Sequence, residues 1–277
     1  MSDRKKLTLS LDVLIWSLFT ALYCPMFLHL YMFGWHNTDY THAYAVLPVS
    51  LFLAWRKRHE VIKARGCAAS IKDKAWGYPL VALATLLLMS GWHMELLVLA
   101  SLSIIPMLYG IILHRYNGQV ARILTFPILY LLLLVPPPSG VIEAMTMALR
   151  NIVASAATTI LGLFFHVRRE GLMLTIDQTR IFIGAPCSGF RSMTALFALT
   201  LVYTHVMGLK TATRRILLAS VIPLAFLGNL LRVLSLTYVA YYFGPAAAEG
   251  FFHDSTGILI FLIEMSGLVW LERKLQP

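Results

Sequence analysis

Long apolar runs separated by short basic stretches constrain this chain more than any other feature. A helix that crosses a bilayer needs about 20 mainly apolar residues, and runs of that kind recur along the 277 residues. Hydrophobic residues make up 58% of the chain and charged ones only 13%, against roughly 25% charged in soluble domains. A soluble globular enzyme and a disordered chain are both excluded. The expectation is an all-α polytopic membrane protein, with residues 1–277 forming one integral membrane domain.

The formal net charge of +10 does not point to nucleic acid. The basic residues lie between apolar runs, at Arg4, Lys5 and Lys6, across 56–74, across 210–215, and at Arg273 and Lys274. Basic loops beside spans orient a membrane protein with those loops inside, and no soluble segment offers a folded basic face for nucleic acid. Cys24, Cys67 and Cys187 stand far apart without a CxxC pair, so neither a disulfide framework nor a zinc site is indicated. The first apolar run lacks a small-residue cleavage site and reads as an uncleaved first helix.

Spans are expected near 10–33, 41–55, 76–92, 94–113, 120–135, 188–207, 216–242 and 254–271. With Arg4, Lys5 and Lys6 inside, the second span returns to the basic loop at 56–74, the strongest inside marker. The third and fourth form a tight hairpin around 91–94. The fifth stops at Pro136-Pro137-Pro138-Ser139-Gly140, a helix terminator expected outside.

Residues 141–165 decide the topology. Ile142, Met145, Leu149, Ile152, Val153, Ala156, Ile160 and Leu163 recur at three- and four-residue steps, while Glu143, Thr146, Arg150, Asn151, Thr158 and Thr159 gather toward the other side. That pattern reads as an amphipathic helix at the membrane surface or in a re-entrant position. A ninth span there would turn the basic loop at 210–215 and the basic tail outward. About eight spans follow, with both termini inside and 136–187 extracytoplasmic. Within that segment, the β-prone runs 172–176 and 180–183, joined by Asp177-Gln178-Thr179, predict a short β-hairpin.

Polar groups within a bilayer are expensive and mark function by default. Cys187 lies in Pro186-Cys187-Ser188-Gly189 at the outer mouth of the sixth span, where a helix N-terminus favours a thiolate. Arg191 follows one turn on and reinforces that effect. Arg232, in the outer half of the seventh run, shares a helix face with Asn229. His253 opens the eighth span among aromatics, and its imidazole exchanges a proton near neutral pH. Taken singly, each has a bland alternative: an inert buried cysteine, a structural arginine paired with Glu264 or a lipid phosphate, an interfacial anchor. Cys24 fits the inert reading and Cys67 an ordinary loop. Together the three supply a nucleophile, an oxyanion-stabilising cation and a general acid and base, all at the outer leaflet on catalytic segment 187–257.

These residues resemble the exosortase/archaeosortase family of membrane-embedded cysteine transpeptidases. The resemblance rests on Pro186-Cys187-Ser188-Gly189, then Asn229-x-x-Arg232, then His253 followed by Gly257, on successive spans; the stretch from His36 through His42 to Pro48 and Trp55-Arg56 is also similar. It covers most of the chain and implies a catalytic set of Cys187, Arg232 and His253, supported by Ser188, Gly189, Arg191 and Asn229. It implies no cofactor. It also implies substrates that are secreted proteins ending in a short motif, one transmembrane helix and a basic tail (PEP-CTERM-like signals), cleaved and passed to water or to a surface glycan or lipid acceptor. The setting implied is a bacterial or archaeal cytoplasmic membrane with the active site outside. No additional C-terminal domain is expected.

Three weaker readings stand beside this. His36, Asp39 and His42 have a spacing a metal could use, but no second cluster completes a site, so substrate contact or solvation is preferred. Glu264 lies about three turns beyond His253 on roughly the same face and is expected to pair with Arg232 or Arg191. The competing functions are a transporter or polysaccharide-export component, which would place polar groups nearer the midplane, and an interfacial lipid acyltransferase.

Overall fold

The computed structural model describes residues 2–35, 40–66, 70–177, 179–184, 188–249 and 251–276, with backbone alone at 2–9, 139, 245, 249 and 251–254. Helices dominate, in two compact units, 1–137 and 138–277.

In the first unit, α1 (Ser2–His29) runs into a π-helical turn at Leu30–Gly34, closed by the Trp35 N–H donating to Leu30 O at 2.7 Å. The indole of Trp35 donates to Leu134 O at 3.2 Å and the Tyr40 hydroxyl to Val135 O at 2.6 Å, tying the first loop to the end of the fifth apolar run. α2 (Ala43–Arg56) is followed by α3 (Arg58–Ala64). α4 (Ile71–His93) begins at a reciprocal cap between Ser70 and Asp73.

The expected hairpin of the third and fourth spans is present. α4 turns at 94–96 into α5 (Leu97–Leu102) and α6 (Ile104–Arg115). The helices touch where side chains are smallest: a Cβ on Gly91 would meet the backbone of Ala100, and one on Gly110 would meet Val81. Small residues allow such approach between membrane helices.

The run expected as a fifth span at 120–135 is segmented. It forms α7 (Gly118–Ile123), α8 (Thr125–Tyr130) and a 3₁₀ turn at Leu131–Leu134. Asn117 starts α7 by accepting from the Val120 N–H at 2.9 Å. Pro127 cannot donate back to Ile123, so the helix breaks at Leu124 and restarts with the proline in a first turn, where a donor is dispensable.

The second unit opens with α9 (Ser139–Leu161), which fits the helix expected over 141–165. Its buried face is Ile142, Thr146, Val153, Ala154, Ala157 and Leu161. The predicted stripe is therefore rotated: Met145, Ile152, Ile160 and Leu163 are exposed, whereas Thr146, assigned to the polar side, is buried and accepts from Arg150 at 3.2 Å.

Three antiparallel strands follow, β1 (Val167–Glu170), β2 (Met173–Ile176) and β3 (Thr179–Phe182), in the order β1-β2-β3. The expected hairpin is β2–β3, with Met173 opposite Phe182 and Ile176 opposite Thr179. The outer strand β1 is an addition to that expectation. Its Val-Arg-Arg-Glu sequence has no apolar alternation to announce it, and it joins by pairing Val167 with Ile176 through Glu170 with Met173.

α10 (Phe190–Val206), α11 (Thr211–Phe243), α12 (Pro245–Glu249) and α13 (Phe251–Leu275) complete the unit. Val153, Ala154, Ala157 and Leu161 of α9 pack with Leu174, Ile176, Ile183 and, from α11, Leu230 and Val233. A second cluster joins Leu196, Leu217, Val221 and Leu268 across α10, α11 and α13.

Among the described residues, six helices are long and apolar enough to cross a membrane: 10–34, 71–93, 97–115, 140–161, 211–243 and 255–275, with shorter apolar helices at 43–56 and 125–134. Leu14, Leu18, Leu86, Ile222, Leu227, Leu259 and Leu262 stand exposed on these helices. An outer surface of that kind is satisfied by lipid and not by water, so the chain is an integral membrane protein.

Candidate active site

Ser188 and Gly189 deliver the chain into α10. Ser188 is buried, and its Oγ accepts from the Phe190 N–H at 3.2 Å. Gly189 is the N-cap, with φ 72°. That left-handed conformation suits glycine, and packing adds a second requirement. A Cβ there would lie 2.9 Å from Cβ and Cγ of Asn229 on α11. Two separate parts of the sequence pattern are thus in direct contact.

Asn229 itself is buried, 3% exposed. Three residues on, Arg232 is half-buried on the same helix, and a Cβ on Gly257 of α13 would sit 3.4 Å from its Nη2. Gly257 follows His253 by one turn of α13. Cys187 lies outside the described residues, as do His36, Asp39 and Cys67, and His253 is described by its helical backbone. Arg191, in the first turn of α10, is exposed.

Glu264 is 2% exposed, and neither carboxylate oxygen has a hydrogen-bond partner. It fits against α11 because residue 228 is glycine, whose missing Cβ leaves room for the carboxylate. The positive charge of Arg232, one turn along α11, acts on it. The expected link between Glu264 and Arg232 is therefore electrostatic, without a hydrogen bond. Gly228 had no part in the sequence reading; a glycine facing an acid from a neighbouring apolar span is the signal that would have found it.

The sheet lies beside this region. Leu230 and Val233, which flank Arg232 in α11, pack on Leu174, Ile176 and Ile183. The Asp177 carboxylate at the tip of β2–β3 accepts from the Tyr241 hydroxyl at 2.9 Å. Asp177 takes a positive φ of 52° there, a conformation that Asp tolerates better than most residues.

Among the described residues, no three His, Cys, Asp or Glu side chains converge as a metal site would require. His42 is half-buried with its ring against Tyr40, centroids 4.5 Å apart. Cys24, expected to be buried and inert, is exposed on α1; it faces outward from the helix and not into the packed side.

The transmembrane exosortase family model matches residues 35–270. The chain belongs to that family. No curated protein and no solved structure is significantly similar to it. The match spans Gly189, Asn229, Arg232 and Gly257, so the contacts above lie within the exosortase region, which extends through both compact units.

Proposed function

We propose that this exosortase-family chain is a membrane cysteine endopeptidase and transpeptidase. Its substrates are secreted proteins held by a C-terminal signal of short motif, single transmembrane helix and basic tail, of the PEP-CTERM kind. The observation that carries this reading is the packing of Gly189 on Asn229 beside the approach of Arg232 to Gly257. The three ordered motifs meet through backbone and side-chain contact within one compact unit.

In this mechanism the substrate diffuses laterally and presents its scissile peptide at the outer interface. Cys187, preceding α10 by three residues, attacks the carbonyl carbon as a thiolate favoured by the helix N-terminus. A C–S bond forms and the carbonyl π-pair moves to oxygen. Arg232, with backbone N–H groups near Ser188, stabilises that oxyanion. Collapse breaks the C–N bond as His253 protonates the departing amine. The resulting thioester passes to water or to a nucleophile on a surface glycan or lipid, and Cys187 is released. Ser188, Gly189 and Asn229 hold the α10 entry in register, and Arg191 adds positive potential near the thiolate.

The membrane arrangement in this reading has eight crossing segments, with the two shorter apolar helices and α10 as spans and α9 at the outer interface. Both termini are cytoplasmic and 136–187 lies outside, in a bacterial or archaeal cytoplasmic membrane. The basic stretches at 4–6, 56–74, 210–215 and 273–274 support it through the positive-inside rule. Arg232 lies 232 − 211 = 21 residues beyond the start of α11, about 32 Å along its axis. That distance supports a position for Arg232 in the outer half of the span. The sheet and α9 form walls of the substrate cleft.

The test compares host membranes carrying the wild-type chain or Cys187→Ala at equal abundance, scoring C-terminal peptides. Proteins with the tripartite signal accumulate uncleaved in the variant if this reading holds. No such accumulation with a correctly inserted variant contradicts it.

A further inference from the structure

A groove on the first unit opens along α1, with a volume of about 810 Å³. Its α1 wall repeats at four-residue steps: Asp12, Trp16, Thr20 and Cys24. Arg65, just after α3, and Tyr116, just after α6, face it.

The mouth of the groove is polar and organised. The Trp16 indole donates to the Tyr116 hydroxyl at 3.2 Å. The Arg65 guanidinium lies over the Tyr116 ring, 4.1 Å from its centroid. Asp12 is bound to Arg115 at 2.7 Å, so its charge is cancelled locally. Arg65 is exposed and has no ion pair with any described residue. A guanidinium held by its stacking face keeps its N–H edges available, and a phosphate diester matches those edges.

Along α1 the lining is mainly apolar. Ser17, Thr20, Ala21 and Cys24 are small, and the Thr20 hydroxyl is already spent on Trp16 O at 2.8 Å. Such a floor accepts a hydrocarbon chain without stranding the Thr20 hydroxyl. α1 is one of the membrane-crossing helices, and most of it is uncovered by protein. An indole and a phenol at the groove mouth match the headgroup level of a bilayer.

The geometry points to a binding site for an anionic glycerophospholipid, phosphate on Arg65 and Tyr116 and one acyl chain along α1 from Trp16 to Cys24. A zwitterionic choline lipid fits less well. Its cation would need a free carboxylate, but Asp12 is paired with Arg115, and Arg65 already lies over the Tyr116 ring. The inference is independent of the role given to Cys187.

The full chain is reconstituted in phosphatidylcholine vesicles containing either brominated phosphatidylglycerol or brominated phosphatidylcholine. The fluorescence of Trp16, isolated by subtracting a Trp16→Phe variant, reports bromine in the groove. The expected result is half-quenching of that component at about fivefold lower mole fraction of the brominated phosphatidylglycerol. Arg65→Gln removes the preference. Cys24→Phe, which fills the floor and leaves the charges intact, weakens quenching by both lipids. Equal quenching by the two lipids in the wild-type chain overturns the proposal, and so does a preference that survives Arg65→Gln.

Discussion

The carboxylate of Glu264 on α13 occupies the space that a side chain at Gly228 on α11 would fill. Both residues lie inside the second unit, and the glycine is what lets an acid come so close to a neighbouring helix. Gly228→Ala therefore drives a methyl group into Glu264. The expected cost is about 1–3 kcal/mol, typical of overpacking a tight interface. Unfolding in mixed detergent micelles measures it, and combining Gly228→Ala with Glu264→Ala recovers much of the loss in a double-mutant cycle. Additive single-variant costs would mean the two residues do not compete for this space.

Glu264→Gln keeps the shape and removes the charge that Arg232 acts on. With Arg232 cast as the oxyanion cation, cleavage falls about tenfold, equivalent to about 1.4 kcal/mol of transition-state support, while the folded population stays near wild type. Normal folding together with normal cleavage would remove the ion-pair role.

Gly189→Ala meets two penalties at once, a left-handed φ of 72° and contact with Asn229. The conformational part alone costs about 1–2 kcal/mol. Asn229→Ala relieves only part of the contact, because the methyl group at 189 would still meet the Cβ at 229 and the φ strain is untouched. Substrate processing is expected to fall sharply in Gly189→Ala and to recover only in part in the double variant. Full recovery would show that contact alone matters at this cap.

Tyr40 is buried and donates to Val135 O at 2.6 Å, and burial pushes its phenol up to about 12. The folded state therefore holds the proton more tightly than the unfolded chain, where tyrosine titrates near 10. The stability this gives is complete below about pH 10 and is lost as pH rises toward about 12. Tyr40→Phe loses about 1 kcal/mol for the hydrogen bond and shows a shallower loss of stability across that alkaline window. Parallel pH profiles for the two proteins would contradict the assignment.

Much of this architecture is legible in the sequence because membrane helices declare themselves through long apolar runs, and basic loops set their limits. The order Cys187, Arg232, His253 and the β2–β3 hairpin are visible for the same local reasons. What escapes depends on rotation and partners. The exposed face of α9 at Met145 and Ile152 cannot be told from its buried face when both are apolar. β1 is charged and forms only because β2 offers an edge. The break at Leu124 follows from Pro127, but the hydrogen bond that the Ser50 hydroxyl donates to Pro127 O at 2.8 Å comes from a distant helix. Gly228 against Glu264 is likewise a meeting of two helices that neither announces.

The proposed chemistry requires Cys187 to carry a polypeptide as a thioester. The intact mass of the wild-type chain, acid-quenched during turnover of a substrate carrying the tripartite signal, reports that thioester before and after hydroxylamine. A hydroxylamine-sensitive adduct of the substrate's N-terminal portion on Cys187, absent in Cys187→Ala, is the expected result. A fatty acyl adduct, or an unmodified Cys187 in a correctly inserted protein, would contradict it.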